Sequence, residues 1–158
     1  MTSVDSDGYP IDPYNEVIPR LAQASSRVSP WELLGGHGFD VSFDVGGWDQ
    51  SGQMAGLDYT FYLIDDVPWI EDPDAVHELG RRVADEVLAG RRVVVNCAAG
   101  LNRSGLIVGR ALIHMGYRPR EAVQLIRAAR GRHALFNRTS RSSCCSTART
   151  PPPRRSVA

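Results

Sequence analysis

The apolar positions change period several times along the chain, and each change marks an element. Phe39-Asp40-Val41-Ser42-Phe43-Asp44-Val45 alternates apolar and polar residues, which predicts a half-buried strand. Leu57 to Ile64 alternates more loosely and predicts a second. Val76, Leu79, Gly80, Val83 and Val87 then fall at helical spacing. Asp72 is placed to cap that helix, Pro73 to fill its first position and Gly90 to end it. The stretch from Arg92 to Cys97 holds the apolar, β-branched run Val93-Val94-Val95, which reads as a buried strand. A mostly apolar stretch, Leu106, Ile107, Val108, Ala111, Leu112 and Ile113, predicts a buried helix after it. Gly116 to Arg118 is a turn, and Pro119 opens a last helix with Ala122, Val123, Ile126 and Ala129 on one face and Gly131 at its end. Near the start, Glu16 to Ala24 predicts one short extended segment, and Ser29-Pro30-Trp31-Glu32-Leu33-Leu34 carries a helix start stopped by Gly35 and Gly36. Strands alternating with helices predict an α/β fold: a central, largely parallel sheet flanked by helices.

At 158 residues this makes one domain, expected over residues 16–137. Residues 1–15, rich in Asp, Pro and Tyr, predict a flexible N-terminal arm. Residues 138–158, Arg, Ser, Thr and Pro with almost nothing apolar, predict a disordered and atypical tail. No apolar run reaches transmembrane length and the first ten residues are polar and acidic, so neither a membrane span nor a signal peptide is expected. Three cysteines, two of them the adjacent Cys144 and Cys145, make no disulfide framework and predict a reducing, cytoplasmic setting. That pair has no His or Cys partner at ligand spacing, so no metal is expected, and no cofactor either. The zero formal charge conceals an asymmetry. Residues 1–90 hold seventeen acids and four arginines, whereas residues 91–158 hold fourteen arginines and the single acid Glu121. Pairing of the halves in the fold accounts for most of this, and the basic half suits a phosphate-bearing ligand.

That half contains the stretch with chemistry in it. Between the predicted buried strand and its helix runs Cys97-Ala98-Ala99-Gly100-Leu101-Asn102-Arg103-Ser104-Gly105. A small-residue loop between a strand and a helix N-terminus aims several backbone N–H groups, and the positive end of the helix dipole, at one point. Such a point attracts an oxyanion and favours a thiolate at Cys97. Gly100 supplies the backbone freedom of a tight loop, and Ala98 to Arg103 present inward-facing N–H groups. The planar fork of Arg103 suits two phosphate oxygens at once. Ser104 can donate its hydroxyl to the Cys97 sulfur. Leu101 and Asn102 are expected to point outward and shape the mouth. No Gly-Lys-Ser/Thr sequence of the nucleotide-binding kind is present, and no Cys-x-x-Cys for disulfide exchange.

The Cys97–Gly105 stretch resembles the signature loop of the cysteine-dependent protein tyrosine phosphatases, in their dual-specificity branch. The likeness covers roughly residues 16–137, including Ile126-Arg127, Arg130-Gly131 and the Ala134–Asn137 segment. It implies that Cys97 is the nucleophile, that Arg103 and the loop amides of Ala98 to Asn102 hold the phosphate, and that Ser104 assists. It further implies an acid on a loop about thirty residues upstream. Asp66 fits this best, following Ile64 as in the family's Ile-x-Asp arrangement, with Asp65 the alternative. The implied substrate is a phosphorylated protein or peptide: phosphotyrosine, with phosphoserine and phosphothreonine also within the branch. The loop also has the look of RNA 5′-triphosphatase relatives, though a nucleic-acid partner is not expected. Two features depart from the pattern. Asn96 stands where the family has histidine, and the final apolar helix of the family is missing from this sequence. Both leave open a weakly active or inactive phosphate-binding module. The four histidines read as surface or satisfied core residues, and Trp69, on the acid loop, as a candidate pocket wall.

Overall fold

A computed structural model describes residues 3–26, 37–50, 56–67 and 69–137. The helix expected at Ser29–Leu34 and the tail at 138–158, with Cys144 and Cys145, lie outside these residues.

Where one extended segment was expected at Glu16–Ala24, two strands occur. β1 (Tyr14–Ile18) and β2 (Leu21–Ser25) pair antiparallel through a turn at Pro19-Arg20, with Arg20 at φ 70°. Neither turn residue is the Asn or Gly that normally announces a two-residue hairpin, so the break is silent in the sequence. β2 then pairs in parallel with β5 (Val93–Cys97), and β5 in parallel with β3 (Val41–Asp44), which pairs in parallel with β4 (Asp58–Phe61). The sheet order is β1-β2-β5-β3-β4, which puts the β-branched run of β5 in the middle.

Both faces of β5 are covered. Val93, Val95 and Cys97 join the main core with Leu106, Ile107 and Leu112, while Val94 packs with Ala22, Ala24 and Phe39 on the other face. Burial of each large aliphatic side chain here stabilises by about 1.5–3 kcal/mol. β3 was expected to be half-buried, yet Ser42 and Asp44 are buried as well. They face Asn96 of β5 and hydrogen-bond across the sheet instead of meeting water. β4 is shorter than the Leu57–Ile64 run. Beyond it the Tyr62 and Ile64 N–H groups still donate to Asp44 and Val45 carbonyls, which carries the chain past the end of β3.

Three helices follow the sequence signals closely. In α1 (Pro73–Leu88) the Asp72 carboxylate accepts the Ala75 N–H at 2.9 Å, and Gly90 takes φ +88° beyond its end. α2 (Arg103–His114) starts directly after the cysteine loop, and α3 (Pro119–Arg130) ends at Gly131, φ +87°. Gly80 lies in the α1 stripe because a Cβ there would sit 2.5 Å from Arg110 Cβ of α2. No helix among the described residues is long and apolar enough to cross a membrane.

Residues 3–13, expected as a flexible arm, form a small hairpin against the end of α3. Asp5 Oδ1 accepts the N–H groups of Asp7 and Tyr9, and the Tyr9 ring stacks on His133 at 4.6 Å.

Candidate active site

In register, the end of β5 lies between the ends of β2 and β3: Cys97 faces Ser25, and Asn96 faces Asp44. Ligands of open α/β sheets bind at this place, beyond the carboxyl ends of central strands. Four carbonyls from Cys97 to Leu101 are bonded by groups outside the loop. Ser26 N–H donates to Cys97 O at 2.9 Å and Ser25 Oγ to Ala98 O at 2.8 Å. Gly100 O accepts from Gln23 Nε2 at 3.0 Å and Arg130 Nε at 3.1 Å, and Leu101 O accepts from Gln23 Nε2 and the Leu135 N–H. Asn102 places no side-chain cap on the N-terminus of α2. The donors of the helix end are thus left for an anion. Gly100 is obligatory: its φ is +67°, and a Cβ would lie 2.6 Å from Ala24 O and from Arg130 Nη2.

The Cys97 thiol donates to Ser104 Oγ at 3.2 Å. Ser104 Oγ also accepts from Gln23 Nε2 at 3.1 Å, so the hydroxyl proton is free to turn to the sulfur once that is an anion. Arg103 reaches the upstream loop. Its Nη1 donates to Ile64 O at 3.2 Å and its Nη2 lies 3.7 Å from the Asp66 carboxylate. Its Nε is buried with no partner among the described residues, a donor suited to an oxyanion. Asp66 lines one cleft of about 300 Å³ with Cys97, Ala99, Leu101 and Asn102. Asp65 turns to a separate cavity of about 60 Å³, which it lines with Trp69. Trp69 is therefore no wall of the cysteine cleft among the described residues. Leu101 and Asn102, expected to point outward and shape the mouth, both line the cleft but are buried, with Leu101 in the main core.

Several positions that carried no signal in the sequence complete the site. Gly46 walls the arginine, since a Cβ there would sit 2.5 Å from Arg103 Nη1 and 3.2 Å from Cys97 Cβ. Its N–H donates to Asp44, which also accepts from Tyr59 OH at 3.1 Å and from Asn96. Burial pushes the Asp44 carboxyl above its ordinary range, and these bonds and the charge of Arg103 pull it partly back. The Tyr59 phenol, half-buried beside this carboxylate, is pushed up to about 12 by desolvation and the neighbouring charge. Asn96 is held between Ser42 Oγ, which donates to it at 3.3 Å, and Asp44. The histidine position of the resemblance is thus filled by a neutral, doubly bonded amide. Arg130 is fully buried behind the loop, and desolvation lowers it to about 10, leaving it charged at neutral pH. Asn137 joins the two loops, with its N–H on Asn102 Oδ1 and its amide on Val67 O. Among the described residues no group of three His, Cys, Asp or Glu side chains is placed to hold a metal.

This architecture has known counterparts. The human DUSP28 structure superposes with a TM-score of 0.74 at 23% identity, over 84% of this chain and 90% of that one. The fold is that of the dual-specificity phosphatases. A mouse putative dual specificity phosphatase complexed with zinc tungstate gives 0.73 at 19% identity, over 91% of this chain and 89% of that one. The dual-specificity fold is also matched by OH1 from the Orf virus, described as a tyrosine phosphatase with triple substrate specificity, at 0.68 and 18% identity over 83% of each chain. No protein-family model and no curated protein sequence matches the chain.

Proposed function

We propose that the chain is a phosphoric monoester hydrolase acting on phosphotyrosine in a protein or peptide, with phosphoserine and phosphothreonine as further substrates. One observation carries this reading: Cys97 and Asp66 line one cleft, and Arg103 Nη2 lies 3.7 Å from the Asp66 carboxylate. The Cys97 thiolate attacks phosphorus in line with the ester bond. An S–P bond forms, the O–P bond breaks, and Asp66 gives its proton to the departing oxygen. The loop amides and Arg103 hold the equatorial oxygens, where they gain most as charge redistributes. Water then attacks the cysteinyl phosphate with Asp66 taking its proton. The S–P electrons return to sulfur, steadied by the Ser104 hydroxyl. No metal or cofactor enters these steps. Cys97→Ser is expected to abolish hydrolysis of para-nitrophenyl phosphate while inorganic phosphate still binds. A wild-type protein that binds phosphate but hydrolyses no aryl phosphate between pH 4 and 9 overturns the reading. That outcome favours the second one, a phosphate-binding module without turnover. Its support is Asn96, a neutral amide held between Ser42 and Asp44.

A further inference from the structure

The cleft above Cys97 is completed from a part of the chain the chemistry does not use. Asp5 and Tyr9, from the hairpin at residues 3–13, line it together with Phe136 and Asp66. The hairpin is fastened to the domain at several points. His133 Nε2 bonds Asp7 O at 3.0 Å beneath the Tyr9–His133 stack. Arg130 Nη1 donates to Asp12 O at 3.2 Å and to Asn15 Oδ1 at 2.7 Å, while its Nε holds Gly100 O of the cysteine loop. One buried guanidinium therefore spans the hairpin base and the phosphate cradle. Tyr9 and Phe136 stay 42% and 60% exposed, which is a cost unless something covers them. Among the residues lining the cleft, the charged side chains are Asp5 and Asp66, both carboxylates.

We infer that the hairpin is a substrate-selecting wall, with Tyr9 and Phe136 receiving the ring of an aryl phosphate and Asp5 receiving a cationic side chain next to the phosphorylated residue. This rests on the proposed function and names its substrate more closely. Two aromatic faces give an aryl ester contact area that an alkyl ester lacks. The Asp5 carboxylate at the mouth attracts an arginine or lysine and repels an acidic or second phosphorylated side chain. Asp5 is free for this because one of its oxygens, Oδ1, takes both of its turn bonds.

The test uses two phosphotyrosyl peptides that differ only in flanking Arg or Glu, titrated by fluorescence anisotropy into the full chain carrying Cys97→Ser. The Arg peptide is expected to bind about 5-fold more tightly, the size of one exposed ion pair. Adding Asp5→Asn, which keeps an acceptor for the turn, is expected to cut that preference below about twofold. Adding Tyr9→Leu instead weakens both peptides by about 3-fold or more, with inorganic phosphate affinity moving less. Equal affinities for the two peptides, or a preference that survives Asp5→Asn, overturn the inference. Turnover of para-nitrophenyl phosphate by the wild type decides the phosphatase reading separately. A protein that prefers the Arg peptide but hydrolyses nothing keeps the wall and loses the enzyme.

Discussion

The two loops that meet over the cleft are held in opposite ways. In the cysteine loop Cys97, Gly100, Leu101 and Asn102 are buried, and bonds from Gln23, Ser25, Ser26, Arg130 and Leu135 fix its carbonyls. The acid loop is exposed: the Asp66 side chain is 52% accessible, and the contacts that bring it to the cleft are the Arg103–Ile64, Arg103–Asp66 and Asn137–Val67 pairs. Under the proposed function the difference follows from two tasks. An oxyanion cradle stabilises charge only if its dipoles are already aligned, so its geometry is over-determined. A proton donor must reach a leaving group whose position varies with the substrate, and a lightly tethered loop allows that. Arg103 belongs to both, since it stands in the cradle and reaches the acid loop.

The largest effect should come from breaking the rigid loop. Gly100→Ala forces an alanine into φ +67° with its Cβ 2.6 Å from a backbone carbonyl. We expect a loss of about 3 kcal/mol or more in urea unfolding, and loss of phosphate binding. If the variant keeps wild-type stability, the loop is not over-determined. Next is the acid. Asp66→Asn should lower kcat on an aryl phosphate about 100-fold and remove the basic limb of the pH–rate profile, whereas Asp65→Asn should change kcat by less than about twofold. The reverse result would make Asp65 the acid and the side by side placement of Asp66 and Arg103 incidental. Gly46→Ala tests the shared arginine. Its backbone is not left-handed, and the atom in the way is the end of a flexible side chain. Stability should therefore change by under about 1 kcal/mol while kcat/KM falls about tenfold, because Arg103 is displaced from the anion. The smallest effect lies outside both loops. Desolvation, and then His77, hold His114 below its ordinary value, so the unfolded chain takes up a proton near pH 6.5 that the folded chain resists. Folded stability should then fall as pH drops below 6.5, by about 1 kcal/mol or less, and His114→Gln should remove that part of the loss in thermal unfolding at pH 5 against pH 7.5. The measurement separates acid destabilisation from the acid limb of the rate profile.

What could be read along the chain was local. Pro73 and Pro119 start helices, Gly90 and Gly131 end them, and the β-branched run before Cys97 makes a buried strand. Each of these works through neighbours within a few residues, so the one-dimensional pattern carries it. The cysteine-to-arginine spacing is local in the same sense, because strand, loop and helix follow one another directly. The β1–β2 turn escaped because Pro19-Arg20 carries no hairpin signature. The reading of Ser42 and Asp44 as solvent-facing escaped because alternation cannot tell water from a buried polar partner on another strand. Gln23 gave no hint that it would hold both the cysteine loop and the Ser104 hydroxyl, being 81 residues from that serine.

The sequence by itself therefore determined the α/β alternation and a cysteine, a small-residue loop and an arginine at a helix N-terminus. The tertiary structure alone decided which aspartate stands beside Arg103, that Gly46 walls that arginine, that buried Arg130 backs the loop, and that Asp5 and Tyr9 line its mouth. These are contacts between segments dozens of residues apart. They exist only once sheet order and helix packing have brought the segments together, and no local propensity encodes them.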